Sequence, residues 1–191
     1  MLTDKELKQL FKIFKIKCKG IYLKDELKPV PTKEGFYIYN LDSKKKPIME
    51  TSLGTHWTCS VGNDKQAMYF DSYGVVPPNE IAYFLKLKYD KYMYNNYIIQ
   101  DLNSTNCGFY CLGLALYVKE NQNTYPNLML TCNEYINMFG DNAKTNDVIL
   151  RDYLYKMAKK NNVLNPDTTK LLEKLKQKYD GADDLVVKTI E

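Results

Sequence analysis

Residues Cys107–Glu120, CGFYCLGLALYVKE, would be apolar on almost every side of a helix until Lys119. A helix with no polar face must be buried all round, so the remaining elements have to wrap it. With 191 residues the chain is long enough for this. Folding at that length buries roughly 70% of the surface an unfolded chain exposes, without help from metal or disulfides.

The flanking sequence supplies the wrapping. Residues 3–17 set Leu7, Leu10, Phe11, Ile13, Phe14 and Ile16 among lysines, the spacing of an amphipathic helix, with Thr3 and Glu6 placed for a capping box. Residues 29–35 (PVPTKEG) read as a loop, Phe36–Leu41 as a short strand and Asp42–Pro47 as an exposed basic turn. His56–Val61 and Ala67–Asp71 read as strands joined by a hairpin-length connection, Gly62–Gln66. Glu80–Lys91 is expected to be a helix, Tyr97–Gln100 a short buried strand and Asp101–Asn106 a polar loop. Two further helices are expected at about 146–161 and 167–179, the second capped by Asn165 or Asp167. With no internal repeat or linker, the expectation is one α+β domain over residues 1–191. In it, a central mixed sheet packs on the buried helix, with helical N- and C-terminal extensions, the latter over 163–191.

Composition excludes several functions. His56 is the only histidine, so no mechanism with two imidazoles is available. Five cysteines (18, 59, 107, 111 and 132) are an odd number at irregular spacing, which points to free, catalytic or metal-bound thiols rather than a disulfide framework. The net charge of +4 is too small for a dedicated nucleic-acid binder. It is also unevenly spread. Residues 1–50 carry 12 lysines against 7 acids, whereas 51–150 carry 6 against 9, so the candidate chemistry lies in an acidic middle between basic ends. No apolar run approaches the ~18 residues of a membrane span, and the lysine-studded start lacks the apolar core of a signal peptide. The expectation is a protein retained inside a cell, with no membrane partner.

Cys107 stands at the expected start of the buried helix, directly before Gly108. A helix N-terminus presents unpaired N–H groups and partial positive charge, which favour a thiolate and can bind an oxyanion. Gly108 removes a side chain where a carbonyl would approach backbone. The thiol needs a base, and only His56 is available. The base needs an acceptor to fix its tautomer, and Asp71 ends the neighbouring strand of the hairpin. Gln100, at the mouth of the loop before Cys107, offers a neutral amide donor of the kind used in an oxyanion hole. Each residue alone has a plain structural reading: a core histidine, a turn aspartate, a strand-end glutamine or a buried cysteine. Together they form a set in the order His, Asp, Gln, Cys.

Three stretches carry a resemblance. Gly54-Thr55-His56-Trp57, Tyr69-Phe70-Asp71-Ser72-Tyr73-Gly74, and Gln100 followed seven residues later by Cys107-Gly108-Phe109-Tyr110-Cys111 resemble the motifs of the adenain family. These adenovirus-type maturation proteases are related to the cysteine proteases that release SUMO and other ubiquitin-like proteins. The resemblance spans about residues 15–162, including Gly20-Ile21-Tyr22 upstream, and is strong only at the three motifs. It implies a papain-like cysteine protease fold with Cys107 as nucleophile, His56 as general base and acid, and Asp71 as orienter. It also implies an oxyanion hole formed by Gln100 with the Cys107 N–H. Trp57 would wall the cleft and favour small residues such as glycine beside the scissile bond; core packing is its plain structural reading, and the two are compatible. Expected substrates are viral capsid precursors, acted on in the virion and host-cell interior. Asp71 departs from the adenain glutamate. Lys86–Ile99 contains no cysteine, so activation through a disulfide-linked peptide is not expected in that form. DNA as a cofactor would use Lys12–Lys19 and Lys44–Lys46, though solvated lysines are the preferred reading of these charges.

Other readings follow from the same residues. A deconjugase removing ubiquitin-like modifiers would use the same four residues. A zinc site could draw on His56, Cys59, Cys107 and Cys111, a permitted ligand set. Against it, Cys59 lies three residues along a strand from His56 and should point to the opposite face. A DNA-binding module is disfavoured by the small charge and the single arginine, Arg151.

Overall fold

The computed structural model describes residues 1–27, 34–43, 56–124 and 127–175. In chain order the elements are α1 (Asp4–Ile13), β1 (Cys18–Leu23), β2 (Gly35–Asn40), β3 (Trp57–Gly62), β4 (Gln66–Phe70), α2 (Asn79–Lys88) and β5 (Lys91–Tyr94). They continue with α3 (Cys107–Asn121), α4 (Leu128–Ile136), α5 (Ala143–Lys160) and α6 (Pro166–Leu172), which runs into a short 3-10 turn, Glu173–Leu175.

The five strands form one mixed sheet in the order β1-β2-β3-β4-β5. The outer pairs, β1–β2 and β4–β5, are parallel and the inner pairs antiparallel. Its two faces differ in chemistry because alternate residues point to opposite sides. Phe36, Ile38, Trp57, Cys59, Val61, Met68 and Phe70 join the large core built with α1, α3, α4, α5 and α6. Tyr37, Tyr39, Ala67 and Tyr69 meet Ile81, Phe84 and Leu85 of α2 in a smaller, tyrosine-rich core. The run Phe-Tyr-Ile-Tyr at 36–39 thus serves both layers in turn.

The helix read from Cys107–Glu120 is present, and every residue from Cys107 to Leu116 is buried. The α+β expectation of a mixed sheet packed on this helix is met. The N-terminal capping box also forms: Thr3 Oγ1 accepts the Glu6 N–H, and Glu6 accepts the Thr3 N–H at 2.9 Å. This helix stops at Ile13 rather than continuing to 17, because Lys15 takes a left-handed turn (φ 52°). Ile16 N–H closes on the Phe11 carbonyl and Lys15 N–H on that of Lys12, a Schellman ending with lysine where glycine is usual.

Two expected elements change and two further elements appear. Glu80–Lys91 divides into helix 79–88 and edge strand 91–94. Tyr97–Gln100 is not a strand: Tyr97 and Ile98 are exposed, while Ile99 and Gln100 hang by their N–H groups from the Ser72 carbonyl. Cys18–Leu23 forms an edge strand whose uniformly half-buried residues show no alternation. Residues 128–136 form a short helix capped by Asn127. At the C-terminus, helix covers 166–172 with Asn165 as cap, and 176–179 lie outside the described residues. So do most of the loop 29–35, the lysines at 44–46 and Gly54-Thr55. Among the described residues no helix is long and apolar enough to cross a membrane.

Candidate active site

The sheet brings His56 and Asp71 together by register. In β3–β4, Cys59 pairs with Phe70, and continuing that antiparallel ladder sets His56 opposite Tyr73 and Thr58 opposite Asp71. His56 Nε2 and Asp71 Oδ1 are 2.8 Å apart. A carboxylate only accepts, so Nε2 carries the proton and Nδ1 is the nitrogen left for a thiol. The Tyr73 ring stacks on the imidazole, centroids 4.6 Å apart at 25°. Tyr73 N–H also donates to Asp71 Oδ1 at 2.8 Å.

Burial works against a charged His56, but hydrogen bonding to Asp71 and then to Cys107 outweighs it and lifts the imidazole from 6.5 to about 9. Cys107 lies near enough to the only histidine to favour its charged form. Its sulfur also accepts the Trp57 N–H at 3.3 Å. As the first residue of α3, Cys107 lies in the first turn, where N–H groups have no intrahelical acceptor. Among the described residues, no hydrogen bond uses the N–H of Cys107 or Gly108.

Gln100 is held differently. Its side chain is wholly buried. Ser72 Oγ donates to Oε1 at 2.6 Å, which turns the amide nitrogen the other way. Nε2 then donates to the Ser104 carbonyl at 2.9 Å and to the Tyr73 hydroxyl at 3.2 Å. Among the described residues no hydrogen bond joins Gln100 directly to Cys107. Gln100 reaches the Tyr73 hydroxyl, whose ring stacks on His56, and is joined to Cys107 by the loop between them. An oxyanion would have to take the Gln100 proton that now faces Tyr73.

Two neighbouring residues are packed rather than open. Trp57 is 1% exposed, which is the core-packing reading of this residue; its indole N–H donates to the Leu2 carbonyl at 3.0 Å. The space left by Gly108 is already used, since a Cβ there would lie 3.3 Å from Trp57 and 3.4 Å from Leu2. Glycine at 108 lets the helix start settle onto Trp57. Gly74 closes the turn that follows Asp71 with φ +66°, and any Cβ would strike the Tyr97 backbone at 2.8 Å.

Sequence reasoning missed Asn95. Its Oδ1 accepts the Asp71 N–H at 2.9 Å and its Nδ2 donates to the Asp71 carbonyl at 2.6 Å. The side chain follows the end of β5 and takes the place of the next ladder pair, fixing the backbone that carries the orienter. A lone asparagine after an unrecognised edge strand carries no sequence signal for this.

All five cysteines are free. Cys59 lies in the large core beside Cys111, whose thiol contacts the Trp57 carbonyl at 3.7 Å. Burial pushes Cys59 and Cys111 up, Cys18 to about 11 and Cys132 to about 12. Among the described residues no group of three His, Cys, Asp or Glu side chains is arranged to hold a metal ion. Lys12, Lys15 and Lys17 are exposed at the end of α1 and beyond it, on elements that carry none of the four candidate residues.

No family model matches the chain, and no curated protein is similar to it. Among solved structures it is similar to the ASFV pS273R protease, with a TM-score of 0.36 and 18% identity. The match covers 60% of this chain and 43% of that one, so the chain spans less than half the length of that protein.

Proposed function

We propose that this chain is a cysteine endopeptidase. The observation that carries the reading is the set at the ends of two inner strands: His56 bonded through Nε2 to a buried Asp71, with the Cys107 sulfur, at a helix start, accepting the N–H of the next residue, Trp57. In the reaction, the Cys107 sulfur forms a bond to the scissile carbonyl carbon while the imidazolium of His56 keeps the thiol proton. As the C–N bond breaks, His56 delivers that proton to the leaving amine. Water then attacks the thioester, giving its proton to His56, and the carboxylate product leaves as the Cys107 sulfur is restored. Asp71 holds the imidazole in the tautomer these steps need. The Cys107 N–H and the Gln100 amide serve the developing oxyanion.

The motif resemblance to adenain supports viral capsid precursors as substrates, cut at sites with small residues such as glycine, in the virion and host-cell interior. The chemistry calls for no metal. An activating peptide, or weak non-specific DNA binding through Lys12–Lys19, would be an addition to it.

The test is a comparison of protein termini in particles made with wild-type protein and with Cys107→Ala, beside a panel of SUMO and ubiquitin conjugates. The expected result is loss of precursor cleavage in Cys107→Ala with the fold intact, and no change in Cys111→Ala. Cleavage persisting in Cys107→Ala would overturn the reading, and cleavage confined to the conjugates would assign a deconjugase instead.

A further inference from the structure

The loop from Ile99 to Asn106 carries Gln100 at one end and runs into Cys107 at the other. Both ends are fastened to α5. Asn146 Nδ2 donates to the Ile99 carbonyl at 3.0 Å and to the Gly140 carbonyl at 2.8 Å, while its Oδ1 accepts the Gly140 N–H at 2.9 Å. The next residue, Asp147, accepts Asn106 Nδ2 on one oxygen at 3.0 Å and the Tyr110 hydroxyl on the other at 2.8 Å. That hydroxyl also lies 3.2 Å from the Ile99 carbonyl, which closes the circuit.

Asn146 and Asp147 are 0% and 1% exposed, and among the described residues no cation forms an ion pair with Asp147. A buried carboxylate without a counter-charge costs stability unless hydrogen bonds offset it, and an apolar residue of similar volume would pack at least as well. What Asp147 supplies that an apolar side chain does not is direction. It holds Asn106, the residue just before Cys107, and Tyr110, one turn into α3, while Asn146 holds the residue just before Gln100.

We propose that Asn146 and Asp147 are positioning residues for the oxyanion side of the site, holding the Gln100 amide and the first-turn N–H groups of α3 in one fixed relation. The inference rests on the cysteine-protease reading. Neither residue meets a reacting atom; each acts through the loop between Gln100 and Cys107.

Two small probes separate this role from general support of the fold. With p-nitrophenyl acetate, the Cys107 sulfur bonds to the acetyl carbon, the carbonyl oxygen becomes an oxyanion, and p-nitrophenolate then leaves. With iodoacetamide, the sulfur bonds to a tetrahedral carbon as iodide leaves, and no oxyanion forms. Asp147→Asn and Asn146→Asp should each slow acylation about tenfold or more and leave alkylation within about twofold. Tyr110→Phe, which removes one donor to Asp147 and keeps the ring, should show the same selective loss at about threefold. It decides the matter if the other variants do not fold. Unchanged acylation, or equal loss of both rates in Tyr110→Phe, would overturn the inference. If wild type and Cys107→Ala acylate alike, the protease reading itself fails; if Cys107→Ala is inert and Asp147→Asn behaves as wild type, only this inference does.

Discussion

The two halves of the site are assembled to different degrees. On the sheet side, His56 and Asp71 are already bonded at 2.8 Å, with Tyr73 stacked on the ring and Asn95 gripping the aspartate backbone. On the loop side, Gln100 is fully hydrogen-bonded, but to Ser72, Ser104 and Tyr73 rather than to anything at the sulfur. The difference is one of scaffolding. Antiparallel strands in register deliver two side chains to one end with little freedom. A loop reaches its place only through side chains of neighbouring elements, here those of α5. The proposed base is therefore set by the sheet, and the proposed oxyanion donor by a network that a substrate would have to displace in part.

The largest effect that would break this comparison lies on the sheet side. Asp71→Asn should lower turnover by about 10⁴-fold, because an amide can favour the wrong imidazole tautomer. The ring nitrogen shifts of the single histidine should report the change directly by NMR, and an unaltered tautomer with full turnover would remove Asp71 from the mechanism. Gln100→Ala should slow acylation by p-nitrophenyl acetate by about 10²–10³-fold, the usual loss for one oxyanion donor, while alkylation by iodoacetamide continues. If acylation is unaffected, Gln100 is a loop anchor and no more.

Asn95→Ala should act next. It leaves the Asp71 N–H buried without a partner, while the carbonyl keeps the Gly74 N–H at 2.8 Å, at a cost of about 1–3 kcal/mol in stability, read from denaturant unfolding. The last effect is on pH. The folded value for His56, about 9, lies above its ordinary 6.5, so the unfolded chain loses this proton first. Stability from the His56–Asp71 pair should be full below pH 6.5 and fade as pH rises through about 9. A His56→Gln variant should lack that slope. An equal slope in both proteins would mean that the imidazole is not charged in the folded state.

Much of this was legible in the chain. An all-apolar helix demanded a covering layer on every side, and the single histidine limited which cysteine chemistry was open. The capping residues Thr3, Asn127 and Asn165 all form their bonds, although only the first and last precede a helix that the sequence pattern marks. What failed was failure of context. Tyr97–Gln100 has the apolar character of a strand but finds no partner, because the turn after Asp71 captures its backbone instead. β1 was hidden because an edge strand with both faces half-covered shows no alternation. Trp57 reads as a cleft wall until Leu2, 55 residues away in sequence, is found covering it.

By itself, then, the sequence determined which atoms can do chemistry: one imidazole, a thiol at a helix start, a carboxylate at a strand end and an amide before the loop. These are local facts of residue type, period and spacing. The tertiary structure decided which of them meet and which are held apart. Asn95, Asn146 and Asp147 acquire their roles only there, because a hydrogen bond across 24, 47 or 41 residues leaves no trace in local pattern.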